Sequence, residues 1–162
     1  MPSIARSVTS LRIFGDALVP QEVTARLGAT PTKCYRKGDV ERTGSGKEIV
    51  RKTGMWLLEA EDKEPEDLSS QVAEILSRLT PDPEVWRALS GDFQVDLFCG
   101  LFMNESNEGF CLSPSTLASL AERGIEMILD VYAPDREISP TEPCPCMSGK
   151  SYAECCAPKS AT

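Results

Sequence analysis

Histidine is absent from this 162-residue chain. The commonest general base is therefore missing, and an enzyme built on this sequence would have to work with a carboxylate, a lysine or Cys34. No apolar run approaches the roughly 18 residues of a spanning helix, and MPSIARSVTS lacks the apolar stretch of a secretory signal. These two absences lead us to expect a cytoplasmic protein with no membrane segment. A basic excess is missing as well: the net charge is −8, which disfavours non-specific attraction to a phosphate backbone.

What is present is an ordinary globular mixture, 41% hydrophobic and 26% charged, long enough for one domain with a real core plus a small module. Seven cysteines are the unusual component. In a reducing compartment clustered cysteines read as metal ligands before disulfides.

The hydrophobic pattern predicts an α+β fold, a mainly antiparallel sheet with helices packed on it. SVTSLRIFG (7–15) alternates as a strand and PQEVTARLG (20–28) reads as two helical turns closed by glycine. MWLLEAE (55–61) is strand-like. EDLSSQVAEILSRLT carries Leu68, Val72, Ile75, Leu76 and Leu79 at helical spacing, and Asp82 and Pro83 open a further short helix. DFQVDLFCGLFM sets Phe93, Val95, Leu97, Cys99, Leu101 and Met103 on one face at period two. FCLS (110–113) reads as a hairpin return strand, SPSTLASLAERG as a helix capped by Ser113, and IEMILDVYA as the last strand. The stretch between Thr30 and Gly54 reads as a charged loop or arm, with a hairpin about GSG. Similar capping and spacing in PQEVTARLG and SPSTLASLAERG suggest two related halves.

Domain boundaries follow from composition: a flexible N-terminus over 1–7, the α+β domain over 8–134, a proline-rich linker over 135–143, a cysteine module over 144–157 and a flexible tail over 158–162. The module is CPCMSGKSYAECC. Zinc bound by four thiolates at about 2.3 Å sets neighbouring sulfurs about 3.8 Å apart. Cys144 and Cys146 can supply one edge of that tetrahedron, Cys155 and Cys156 the other, and MSGKSYAE turns the chain back between them. Such a centre is closed, with no position for water, and hence structural. Iron suits a soft tetrahedral thiolate site too. Redox thiols, or a vicinal disulfide between Cys155 and Cys156, are the competing readings.

The C-x-C, eight-residue, C-C spacing with SGK after the first pair and Tyr152 closely resembles the SEC-C motif, the zinc-binding tail of SecA-type translocase ATPases and of many small bacterial proteins. The resemblance implies zinc ligation by Cys144, Cys146, Cys155 and Cys156, and a docking role toward the SecB chaperone, ribosomes or other protein surfaces. Lys150, Tyr152 and Lys159 are then candidate contacts, against the plainer reading of solvated residues. Met147 departs from the family, which usually has glycine there, and calls for a different turn. LRIFGDALVPQEVTARLGATPTKCYRKGD, MWLLEAE and LSPSTLASLAERGIEMILDVY resemble the domain of unknown function 4279, which implies architecture but no catalytic residues. Some relatives of that family suggest a toxin-neutralising, immunity-type binding role.

Other features are weaker. GSGKE (44–48) and SGKS (148–151) look like phosphate loops, but Glu41 and Glu48 break the first and Cys144 the second, so no nucleotide is expected. Lys33, Arg36, Lys37, Arg42, Lys47, Arg51 and Lys52 outnumber Asp39, Glu41 and Glu48, making 33–52 a basic arm. Lys33, Tyr35, Arg36 and Lys37 are its candidate contacts for an acidic protein or for RNA, although one aromatic is a thin stacking platform. Lys33, Arg36 and Lys37 could also activate Cys34 as a nucleophile; a plain surface cysteine is the simpler account. Cys99 and Cys111 read as core residues, as do Trp56 and Trp86. Asp92, Asp96 and Asp130 read as the solvated face of the sheet. The function expected from all this is a non-enzymatic zinc-binding adaptor.

Overall fold

A computed structural model describes residues 3–44, 46–134, 139–144, 146 and 148–156. Its elements are β1 (Arg6–Gly15), α1 (Pro20–Leu27), β2 (Lys33–Tyr35), β3 (Val40–Arg42), β4 (Glu48–Val50), β5 (Gly54–Glu59), α2 (Leu68–Ser77), α3 (Pro83–Asp92), β6 (Gln94–Phe102), α4 (Pro114–Ala121), β7 (Glu126–Tyr132) and α5 (Tyr152–Cys155). Five strands form one sheet in the order β2-β5-β1-β6-β7, antiparallel except for the β6–β7 pair. This is the expected α+β class.

Alternation in β1 sorts its side chains. Ser7, Thr9, Leu11 and Ile13 are buried, while Val8, Ser10 and Arg12 between them are half-exposed. Opposite them Leu97, Cys99 and Leu101 of β6 and Trp56 and Leu58 of β5 line the same face. Against that face pack Val23 and Leu27 of α1, Leu68, Val72 and Ile75 of α2, Trp86 and Leu89 of α3, and Leu120 of α4. Both indoles find partners, as buried Trp N–H groups must: Trp56 donates to Thr24 Oγ1 (3.0 Å) and Trp86 to the Thr80 carbonyl (2.8 Å). Gln71 of α2 enters the core as a polar hub. Its amide oxygen accepts from Ser7 Oγ (2.7 Å) and Thr9 Oγ1 (3.0 Å), and its amide nitrogen donates to the Ser7 and Glu61 carbonyls.

The helix ends follow their caps. Asp67 Oδ1 accepts from the Ser70 N–H, Asp82 from Glu84, and Ser113 Oγ from Thr116. Gly28 ends α1 at φ 78°, donating its N–H to Thr24 O. The two resembling helix segments have a topological counterpart: each leads from a strand to one parallel to it. β6 and β7 are adjacent, whereas β1 and β2 are split by β5.

Several expectations are corrected. The N-terminus is built in from residue 3: Ser3 bridges Gly109, and Ile4 is only 3% exposed in the core. Residues 1–2 and 158–162 lie outside the described residues. FCLS forms no strand; Phe110 and Leu112 lean on the core from a loop, which leaves Cys111 exposed rather than buried. The 30–54 stretch contains the expected hairpin, β3 with β4, but also β2, an added edge strand on β5. Asp96 is not solvated. It sits at 0% exposure in a 2.7 Å ion pair with Arg12, whose guanidinium lies over the Phe98 and Phe14 rings. A charged cross-strand pair roofed by aromatics buries what alternation alone assigns to water. Asp92 ends α3 rather than lying on a strand and pairs with Arg26 (3.4 Å), and Asp130 is exposed and accepts from the Tyr132 hydroxyl.

Candidate metal centre

The cysteine module is held by short-range backbone bonds. Pro143 bridges Ser151, the Cys144 N–H donates to the Lys150 carbonyl (2.8 Å), and Gly149 takes φ 76° at the reversal. Tyr152 and Ala153 donate back to the carbonyls of Glu142 and Pro140 (2.8 and 3.0 Å). Residues 139–143, read from composition as linker, thus brace the module; 135–138 lie outside the described residues. SYAE has capping-box spacing, and Glu154 Oε2 accepts from the Ser151 hydroxyl (2.8 Å) and N–H (3.4 Å) to start α5. That single turn delivers Cys155 and Cys156 to the first pair.

All four sulfurs lie within 4.8 Å of one another. Cys146 is 3.2 Å from Cys144 and 3.4 Å from Cys155, and Cys155 is 3.7 Å from Cys156. None of these is a disulfide, all four being free thiols, so the vicinal Cys155–Cys156 bridge is excluded in this structure. These three separations lie below the roughly 3.8 Å edge of a zinc tetrathiolate. Cys144 is buried while the other three are exposed, so the cluster lies at the surface.

Crowding splits the titration of these thiols. The Ser148 hydroxyl, then the Cys144 and Cys155 thiols, bring Cys146 down to about 6. Cys144, then Cys155 and Cys146, push Cys156 up to about 12. Four thiolates so close repel one another, and a divalent cation between them removes that conflict. The residue that ligand spacing does not flag is Ser148. It donates to Cys155 Sγ (3.2 Å) and accepts from the Lys150 N–H (3.4 Å), an outer-shell partner signalled only by its place in the turn. Of the expected contact residues, Lys150 is exposed and Tyr152 half-buried, while Lys159 lies outside the described residues, as does Met147, the position expected to change the turn.

The basic arm looks different once folded. Lys33 pairs with Glu41 (3.4 Å), Arg42 with Glu48 (2.9 Å), Lys37 with Asp16 and Arg51 with Glu41. Arg36 donates to Gln21 Oε1 (2.9 Å). Arg51 also covers the Tyr35 ring at 4.2 Å, occupying the face a base would stack on. Cys34 is exposed on β2, and the three cations beside it in sequence are engaged elsewhere. Among the described residues, no helix is long and apolar enough to cross a membrane.

Comparison with known proteins finds two family models on the chain. A SEC-C motif matches residues 141–158, which adds the 141–143 brace to the ligand region. Neither the curated proteins nor the solved structures contain a match. The family described as domain of unknown function (DUF4279) matches residues 5–134, most of the chain. The protein therefore belongs to the DUF4279 family and carries a SEC-C motif behind that domain.

Proposed function

We propose that this chain is a non-catalytic binding protein whose C-terminal knuckle, ordered by zinc, is the handle for a protein partner. The observation that supports it is the four-sulfur cluster on a tail whose described side chains are otherwise exposed or half-exposed. A tail this short has no core of its own, and metal ligation supplies folding free energy that apolar burial does not, about 10–16 kcal/mol in zinc-finger peptides. Four thiolates fill a tetrahedral ion, so the site shapes the chain and activates no water. Zinc is the ion that the SEC-C resemblance implies, whereas a tetrahedral four-sulfur site by itself suits zinc and iron alike. In this reading Lys150 and Tyr152 lie on the presented surface, and candidate partners are a chaperone or the ribosome, as the SEC-C resemblance implies.

The test compares the intact chain with a Cys155→Ser/Cys156→Ser variant. Metal content, pull-down and co-sedimentation with ribosomes are measured on both, with thermal melting to verify the 5–134 domain. The expected result is loss of metal and of one partner together, with unchanged melting of the domain. Equal partner recovery by both proteins would refute the docking role, and metal-free wild type would refute the site.

A further inference from the structure

The two edges of the sheet are finished differently. β2 is three residues long and is followed by the charged β3–β4 arm. β7 is seven residues long, EMILDVY, pairs with β6 over its whole length without a bulge, and contains neither lysine nor proline. Its two charges, Glu126 and Asp130, alternate away from the helix-covered face, and a long, regular edge without bulge, lysine or proline pairs readily with another strand. Leu129 and Val131 lie on the face that α4 covers elsewhere, yet are 42% and 53% exposed; neighbouring α4 also exposes Leu117. No other described strand pairs with the outer edge of β7.

Backbone direction decides which residues offer hydrogen bonds outward. The Tyr132 carbonyl faces β6, since it accepts from the Met103 N–H (2.9 Å). Alternation then turns the N–H and C=O groups of Met127, Leu129 and Val131 to the free edge. A second β7 running antiparallel can meet them about a two-fold axis. With the axis at Leu129 all seven residues overlap: Leu129 faces Leu129, Met127 faces Val131, Ile128 faces Asp130 and Glu126 faces Tyr132. With the axis at Asp130 two aspartates face each other, and at Ile128 Glu126 faces Asp130 twice; like charges directly opposite are destabilising. Only the Leu129 register joins full overlap, an apolar stripe of Met127, Leu129 and Val131 from both copies, and no like charges directly opposite each other.

We propose that the protein self-associates through β7, antiparallel about Leu129, joining two five-stranded sheets into one. The partner is a second copy because the edge is complementary to itself in that register. Strand pairing of this length sits at the small end of interface sizes, so the dimer is reversible, with Kd on the order of micromolar to tens of micromolar. Since each chain carries −8, added salt tightens it by screening.

Sedimentation velocity on the metal-loaded full chain, from low micromolar to near-millimolar concentration, tests this. Wild type is expected to shift from monomer to dimer. Leu129→Lys and Leu129→Glu, each at an exposed position, are expected to remain folded and monomeric alone, and their equimolar mixture to dimerise, because the two substitutions meet at the axis. A monomeric wild type throughout, a dimer that survives in both single variants, or a mixture of folded variants that stays monomeric would each overturn the proposal; the last two would point to another register or to a partner protein's strand. Should either Leu129 variant not fold, Val131→Lys must lose the dimer while keeping the wild-type circular dichroism, and a persisting dimer overturns it equally.

Discussion

Thiol accessibility can separate a metal-bound knuckle from four free cysteines, because the seven thiols fall into three environments. Cys34 and Cys111 are exposed on the main domain, Cys99 is buried beneath the helices, and the remaining four form the cluster. Burial also pushes the Cys99 thiol up to about 11, so it is neither reachable nor ionised at neutral pH. Its reaction waits for unfolding, and a domain stable by even about 5 kcal/mol slows it by more than about three orders of magnitude. A colourimetric thiol reagent added to metal-loaded native protein is therefore expected to titrate two thiols quickly. A chelator releases the other four cluster thiols, with about one metal ion freed per chain as a tetrathiolate requires, and denaturant releases the last. The progression is two, six and seven. Chelation should leave the melting temperature of the main domain in place, since the cluster contributes nothing to its core. Six thiols reacting at once in freshly purified native protein, with no metal released, would refute the reasoning at its root.

Ser148→Ala removes the hydroxyl that donates to Cys155 Sγ and is expected to weaken metal affinity about tenfold to a hundredfold, measured by competition with a chromogenic chelator; unchanged affinity would make the contact incidental. Gln71→Met keeps the volume of the polar hub but removes the acceptor of the Ser7 and Thr9 hydroxyl protons and the donor to the Glu61 carbonyl, the Ser7 oxygen keeping only the Asp67 N–H. Buried groups left without partners cost about 1–3 kcal/mol each, and partial repair by neighbours brings the expected loss in urea unfolding to about 2–4 kcal/mol. A loss within error of zero would mean that the network is replaceable. Asp96→Ala breaks the pair with Arg12. Because Arg12 is 24% exposed and can turn to water, the expected cost is about 2 kcal/mol, below the 3–5 of a fully buried pair; a rise in melting temperature would contradict it.

Local signals carried much of this fold. The caps at Asp82 and Ser113 and the glycine at position 28 are chemical statements about four or five consecutive residues, and the helices begin and end near them. Period-two alternation in β1 and β6 likewise names the core face, because one side of each strand is covered by helices. The same rule misplaces Asp96, since alternation says which way a side chain points and not whether Arg12 and Phe98 arrive from other positions to cover it. FCLS has strand composition but lacks a partner strand, and a strand exists only as a pair.

Ligand chemistry at the C-terminus is determined by the sequence itself: four cysteines in thirteen residues, separated by a turn and a single helical turn, can converge without help from distant parts of the chain. Strand order, the Lys37–Asp16 pair that ties the basic arm to the segment after β1, and the open edge of β7 are decided only in three dimensions. Each depends on residues tens of positions apart becoming neighbours, and a pairing between distant segments leaves no periodicity in either segment alone.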